Sequence, residues 1–198
     1  IVPMASTTKI LTALIAITQG NLDKEVTISK NASSIRGSKV KYAAGEKIKL
    51  RELLYGLLYK SGNDAAIAIA EDIGGSIEGF ANIMNDYARS LGLINSHFES
   101  PHGLDSPKHY TCAYDLALLT TKAMENKTFC EICGTKTILK DNSGFTRDYA
   151  KLLVGVNIGG LGTLIASMAS LISYKIYAHH YNEQKGKYFR WFTIANVG

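Results

Sequence analysis

The chain has 198 residues, 46% hydrophobic and 20% charged, which suits one globular domain, or a domain with an appendage, and excludes a disordered polyelectrolyte. Its formal net charge of +5 is uneven: residues 144–198 hold six basic and two acidic residues, so the excess sits in the tail, and no basic groove with interleaved aromatics suggests nucleic acid. Three cysteines, an odd count, argue against a full disulfide framework; Cys130-Glu131-Ile132-Cys133 is a lone C-x-x-C without a second pair, so no metal or other cofactor is expected.

In chain order, Pro3-Met4-Ala5-Ser6-Thr7-Thr8-Lys9 opens an uncharged run, Ile10 to Ile17, which ends at Gln19-Gly20. Helix formers behind a Pro and ahead of a Gly predict one buried helix beginning near Ser6. At three residues' separation Ser6 and Lys9 share a helix face. A hydroxyl at a helix start with an amine one turn below it is the layout of a serine nucleophile and its base. Burial of Lys9 would lower its pKa and leave a neutral amine to take the Ser6 proton. The pattern is short, and Ser6 as a simple cap, with Lys9 in solvent, stays open until partners are found.

Glu25 to Ser29 alternates and predicts a short strand, whereas residues 31–44, with Ser33, Ser34, Gly37 and Ser38, read as loop. Leucines at helical spacing predict a helix from Lys49 to Lys60, stopped by the turn-forming Ser61-Gly62-Asn63-Asp64. Ala65 to Ile73 is an alanine-rich helix closed by Gly74-Gly75. Ile77 to Leu91 is another, with Phe80, Ile83, Met84 and Tyr87 as its core stripe. Residues 93–112 are loop-like, and Tyr114 to Met124 is a further helix. A hydroxyl and an amide two residues apart in the Ser61-Gly62-Asn63 turn can face one cleft: Ser61 can pass a proton between Lys9 and a leaving amine, and Asn63 can donate to a substrate carbonyl. His102, His109, His179 and His180 show no metal spacing and receive no role.

An S-x-x-K at a helix start, followed by S-x-N between helices, is the arrangement of penicillin-binding proteins and serine β-lactamases. Met4-Ala5-Ser6-Thr7-Thr8-Lys9-Ile10-Leu11-Thr12-Ala13-Leu14 resembles the nucleophile segment of serine-type D-alanyl-D-alanine carboxypeptidases, the low-molecular-mass penicillin-binding proteins. Gly45-Glu46, Leu53 to Leu58, Ser61 to Ala66, Leu91-Gly92-Leu93, Pro101-His102-Gly103-Leu104, His109-Tyr110 and Asp115-Leu116-Ala117 continue the resemblance in order, over about residues 3–140. A class A β-lactamase would carry S-D-N in place of S-G-N.

The resemblance implies an α+β architecture: the helix-rich part of a β-lactamase/transpeptidase-like fold with its sheet incomplete, spanning residues 1–143. It implies Ser6 as nucleophile, Lys9 as base, Ser61 as proton carrier and Asn63 as substrate-binding residue, on a peptidoglycan stem peptide ending in D-Ala-D-Ala, with β-lactams as inhibitors. The family's third motif, K-T-G, is missing. Lys136-Thr137 is followed by Ile138, and Gly144-Phe145-Thr146 resembles the end of K-T-G-F-T with Asn142 and Ser143 where Lys and Thr belong. Losing one oxyanion donor costs about 10²–10³ in rate. The chain starts almost on its nucleophile and reads as a fragment.

Residues 144–198 read as a different object. The 23 residues 152–174 carry no charge, a length able to span a hydrocarbon core of about 30 Å, although Asn157 and four glycines make a poor simple anchor. Val156 to Thr163 with Ala166 to Ile172 resembles a segment of arsenite-permease-type ion transporters, in which a glycine-broken helix lines a cavity. Lys175, Lys185, Lys187 and Arg190 suit a cytoplasmic side, so the expectation is an apolar C-terminal helical segment contacting the membrane. The catalytic part would then lie outside the bacterial cytoplasmic membrane. A chimeric reading frame near residues 141–147 would explain both the missing motif and the change of character. Three classes stay open: an acyl-serine carboxypeptidase, an inactive penicillin- or peptidoglycan-binding module, and a transport component judged from the tail alone.

Overall fold

The uncharged run behind Lys9 forms helix α1 (Lys9–Gln19) in the computed structural model, which describes residues 1–104, 106–135 and 144–147. Leu11, Ala13, Leu14, Ile15 and Ala16 are all buried, as a helix apolar nearly all round must be. Its entry differs from the sequence expectation. The α-helix starts at Lys9, and Ala5–Thr8 form a 3₁₀ turn instead. Ala5 has φ 44°, a left-handed conformation that no α-helical start contains, and the Thr7 N–H closes on the Met4 carbonyl at 3.2 Å.

Strand β2 (Glu25–Thr27) pairs antiparallel with β3 (Lys47–Lys49), with Val26 opposite Ile48; β1 (Val2–Pro3) lies ahead of the 3₁₀ turn. Only the central residue of β2 and of β3 is buried, the single-faced alternation of a short strand. The first of these strands stops two residues before the predicted Ser29. The Ser29 hydroxyl is used as a cap, accepting from the Ala32 N–H at 2.9 Å and opening α2 (Lys30–Ser34) where loop is predicted.

Helix α3 (Leu50–Tyr59) follows the predicted leucine pattern, and α4 (Asn63–Gly74) begins two residues early because Asn63 and Asp64 enter its first turn. Residues 65–70 are all buried; Ala65, Ala66, Ala68 and Ala70 are small enough for close helix packing, Ile67 and Ile69 fill the core, and α4 packs against α1, α2 and α3. Gly75, at φ 71°, ends α4 in the left-handed cap that glycine favours. Ser76 then caps α5 (Ile77–Ser90) through the Gly79 N–H.

The stretch 93–112 is not all loop: β4 (Tyr110–Thr111) pairs antiparallel with β1. Helix α6 (Ala113–Met124) matches its prediction, and α7 (Lys127–Gly134), where the sequence reading places no helix, is capped by Asn126 through the Phe129 N–H at 3.1 Å. The C-x-x-C pair lies on α7 as free thiols. Residues 144–147 pack onto α3: Phe145 is buried with its ring 5.3 Å from that of Tyr55. The described residues all fall in one compact unit, Ile1–Tyr149. The expectations for Lys136-Thr137-Ile138, Asn142 and Ser143, and for the tail's helix and membrane contact at 152–174, lie outside the described residues. Among the described residues no helix is long and apolar enough to cross a membrane.

Candidate active site

The 3₁₀ turn places Ser6 on the surface while Lys9, one turn on, is only 3% exposed. Their side chains meet: Lys9 Nζ lies 3.2 Å from Ser6 Oγ. The Lys9 amine also donates to the His102 carbonyl at 2.7 Å, which fixes its direction in the buried slot. Burial lowers the Lys9 pKa from 10.5 to about 8, because the ammonium loses hydration that the neutral amine hardly needs. Burial, and then the nearby charge of Lys9, push the His102 imidazole down to about 4. His102 is therefore a neutral side chain here, and its Nδ1 accepts from the Leu104 N–H at 3.1 Å.

Ser61 comes from the turn between α3 and α4. Its Oγ donates to Ser6 Oγ at 2.9 Å, so the Ser6 oxygen is shared between an amine and a second hydroxyl. Ser61 has φ 54°. Left-handed backbone at a residue with a side chain costs of order 1–3 kcal/mol and persists only where its surroundings hold it; Ala5 and Ser61, both in this state, flank the Ser6 hydroxyl from two elements. Asn63 lies in the same cleft but is 4% exposed. Its Nδ2 donates to the Arg36 carbonyl at 2.8 Å, and its backbone N–H to that of Ser38. One amide proton of Asn63 thus holds the 36–38 loop, which leaves the other for a ligand.

The loop is pinned from below as well. The fully buried Asp64 carboxylate accepts from the N–H groups of Val40 at 3.1 Å and Lys41 at 2.8 Å. The resulting cleft, of about 250 Å³, is lined by Ser6, Ser38, Asn63, His102, Gly103 and their neighbours. A larger, flatter hollow of about 740 Å³ runs along α6 past Leu116, Thr120 and Met124 and shares no lining residue with the cleft.

The structure therefore brings Ser6, Lys9 and Ser61 into hydrogen-bond contact and sets Asn63 beside them, partly occupied. Sequence reasoning missed His102, whose contribution is a backbone carbonyl that no side-chain pattern reveals. It also missed Gly103, where an added Cβ would lie 1.8 Å from the Ala5 carbonyl oxygen. Gly144-Phe145-Thr146, the remnant resembling a third motif, is not in the cleft lining; Thr146 instead donates its N–H and hydroxyl to Glu52 on α3, at 2.9 and 2.6 Å. Among the described residues no group of three His, Cys, Asp or Glu side chains could hold a metal ion.

The family model described as D-alanyl-D-alanine carboxypeptidase matches residues 1–153. The chain is 37% identical, over 145 residues, to D-alanyl-D-alanine carboxypeptidase DacF of Bacillus subtilis (strain 168), covering 70% of this chain and 37% of that relative. Among solved structures it is similar to the D-alanyl-D-alanine carboxypeptidase DacD from Francisella tularensis, with a TM-score of 0.63 and 39% identity over 67% of this chain and 34% of that one. It is also similar to penicillin binding protein 6B from Escherichia coli, with a TM-score of 0.65 and 33% identity over 69% of this chain and 47% of that one. The helix-rich described part, with its few short strands, is similar in fold to the matched part of these proteins, and the chain spans about a third to a half of their length.

Proposed function

Because the chain belongs to the D-alanyl-D-alanine carboxypeptidase family, we propose that it is built for serine acyl transfer on peptidoglycan stem peptides ending in D-Ala-D-Ala. The observation that carries this reading is the three-way contact of Ser6 Oγ with Lys9 Nζ and Ser61 Oγ. The neutral Lys9 amine, kept available by burial, takes the Ser6 proton as Ser6 Oγ attacks the carbonyl joining the two D-alanines. Lys9, now an ammonium, returns that proton through Ser61 to the leaving amine. The terminal D-alanine departs, leaving an ester on Ser6. Water, deprotonated by the same amine, hydrolyses the ester and restores Ser6.

The free Nδ2 proton of Asn63 orients the substrate amide, and the Ser6 backbone N–H supplies one oxyanion donor. A β-lactam carries its strained amide at the scissile position. Ring opening leaves its amine tethered, so the Ser6 adduct persists and the compound acts as an inhibitor. The direct test is labelling of the full chain by a fluorescent penicillin, read by intact mass, with Ser6→Ala as control. A Ser6-dependent adduct supports the enzyme reading; no adduct on folded protein refutes it.

One observation favours a second reading, a module that binds penicillin or peptidoglycan without turnover. No K-T-G occurs in the 198 residues, and Gly144-Phe145-Thr146 packs on α3 instead of beside Ser6. Reversible binding of a D-Ala-D-Ala peptide without release of D-alanine would select it. We further place the chain outside the bacterial cytoplasmic membrane, where such a substrate lies, with membrane contact through the uncharged residues 152–174; the resemblance of the tail to a transporter segment belongs to the same proposal. Fractionation of cells expressing the full chain tests it, and recovery of all the protein in the soluble cytoplasm overturns it.

A further inference from the structure

Two buried polar groups beside the nucleophile take no part in this chemistry. Thr8 is fully buried and His109 is 2% exposed. Thr8 Oγ1 donates its one proton to the Ala5 carbonyl at 2.8 Å and lies 2.8 Å from His109 Nε2. With its proton spent, Thr8 must accept from the imidazole there, which puts the ring proton on Nε2. The other ring nitrogen agrees: the Glu99 N–H donates to His109 Nδ1 at 3.0 Å, which requires that nitrogen bare. The bonds therefore run one way, from Glu99 N–H through His109 and Thr8 to the Ala5 oxygen. Gly103 backs onto the same oxygen so closely that a Cβ there would overlap it. Ala5, at φ 44°, is the left-handed residue directly before Ser6.

We propose that His109 and Thr8 are a positioning couple: they hold the Ala5 carbonyl, and through it the 3₁₀ turn that aims Ser6 Oγ at Lys9 and Ser61. The inference rests on the reading of Ser6 as nucleophile, but the couple itself can be examined without turnover. In the full chain, Thr8→Val removes the hydroxyl at constant shape, Thr8→Ser keeps it, and His109→Phe removes both ring nitrogens. Penicillin acylation is resolved into its maximal rate and its half-saturating concentration, and amide hydrogen exchange is followed over residues 4–9.

Because small misplacements of reacting groups can cost up to about 10²-fold, Thr8→Val and His109→Phe are expected to lower the maximal rate by roughly 10- to 100-fold with half-saturation little changed. Thr8→Ser should stay within about threefold of the parent. Exchange over residues 4–9 should quicken in Thr8→Val and not in Thr8→Ser, with α4 and α5 unaffected. If Thr8→Val acylates and exchanges like the parent, or Thr8→Ser falls with it, the couple is packing only and the proposal is overturned. If the parent is not acylated at all, the nucleophile reading fails, and the exchange comparison alone decides the couple.

Discussion

Two segments far apart in sequence, the loop 99–109 and residues 144–147, close onto the helical core through buried polar contacts. The loop meets the start of α1, where the His102 carbonyl takes the Lys9 amine, the Pro101 carbonyl takes the Thr12 hydroxyl at 2.7 Å, and Gly103 presses on Ala5. Residues 144–147 meet α3, where Thr146 and Arg147 fill the Glu52 carboxylate, itself 1% exposed, with hydrogen bonds from N–H and hydroxyl. Arg147 adds an ion pair to Glu46 at 2.8 Å and lies over the Tyr42 ring. The difference lies in where each network ends. Around Glu52 it gathers the donors of Thr146 and Arg147 onto one buried carboxylate, which ties residues 144–147 to α3. Around Lys9 it ends on Ser6 Oγ, an atom at the surface with an amine on one side and a hydroxyl on the other.

The largest effect that can break this comparison is at Lys9. Replacing it with Met keeps a straight apolar stem in the slot and removes the amine, so acylation should fall by about 10²–10⁴-fold, the usual contribution of a general base, with thermal unfolding little changed. An acylation rate near the parent's would assign the base elsewhere. The next effect isolates the loop. Gly103 and Gly45 both have φ 83°, but an added Cβ at Gly45 meets nothing within 4 Å. Ala at Gly45 should cost about 1–2 kcal/mol of stability for the left-handed backbone, and Ala at Gly103 more, because its Cβ would also overlap the Ala5 backbone, both measured by denaturant unfolding. Only Gly103→Ala should also slow acylation, by displacing Ala5; equal kinetic effects in the two variants would remove the loop from the site. The smallest effect belongs to α3: Glu52→Gln leaves one or more of the N–H groups of Thr146 and Arg147 poorly satisfied, costing about 1 kcal/mol or somewhat more, with acylation unchanged. A parallel loss of acylation would mean that the two networks are coupled.

What was legible in the sequence is what is local. The leucines of α3 and the alanines of α4 place their helices because side-chain burial repeats with the helical turn, and Ser6 and Lys9 can be paired because three residues separate them. Ser61 and Asn63 are readable as neighbours in one turn, but their meeting with Ser6 depends on α4 packing against α1, which no short window contains. The strands β3 and β4 are two or three residues long and exist through partners twenty or more residues away. His102 and His109 carry no metal spacing, so their side chains give no sequence signal; one works through its backbone carbonyl and the other through a threonine. Gly144-Phe145-Thr146 shows the converse, a stretch that looks like part of a motif and is held in the fold by a buried carboxylate on another helix.

Burial makes Lys9 a base for Ser6, and the pH dependence of the acylation rate tests this most directly. The neutral amine is the active form, so the rate should rise with pH and level off above about 8, the value to which burial lowers Lys9. The same shift has a sign in stability: between about 8 and 10.5 the unfolded chain holds the Lys9 proton and the folded chain does not, so the Lys9 contribution to stability rises with pH across that window and is lost as pH falls through 8. A plateau near 8 that disappears in Lys9→Met is the predicted result. A rate that keeps climbing toward 10.5, or one independent of pH, would contradict it.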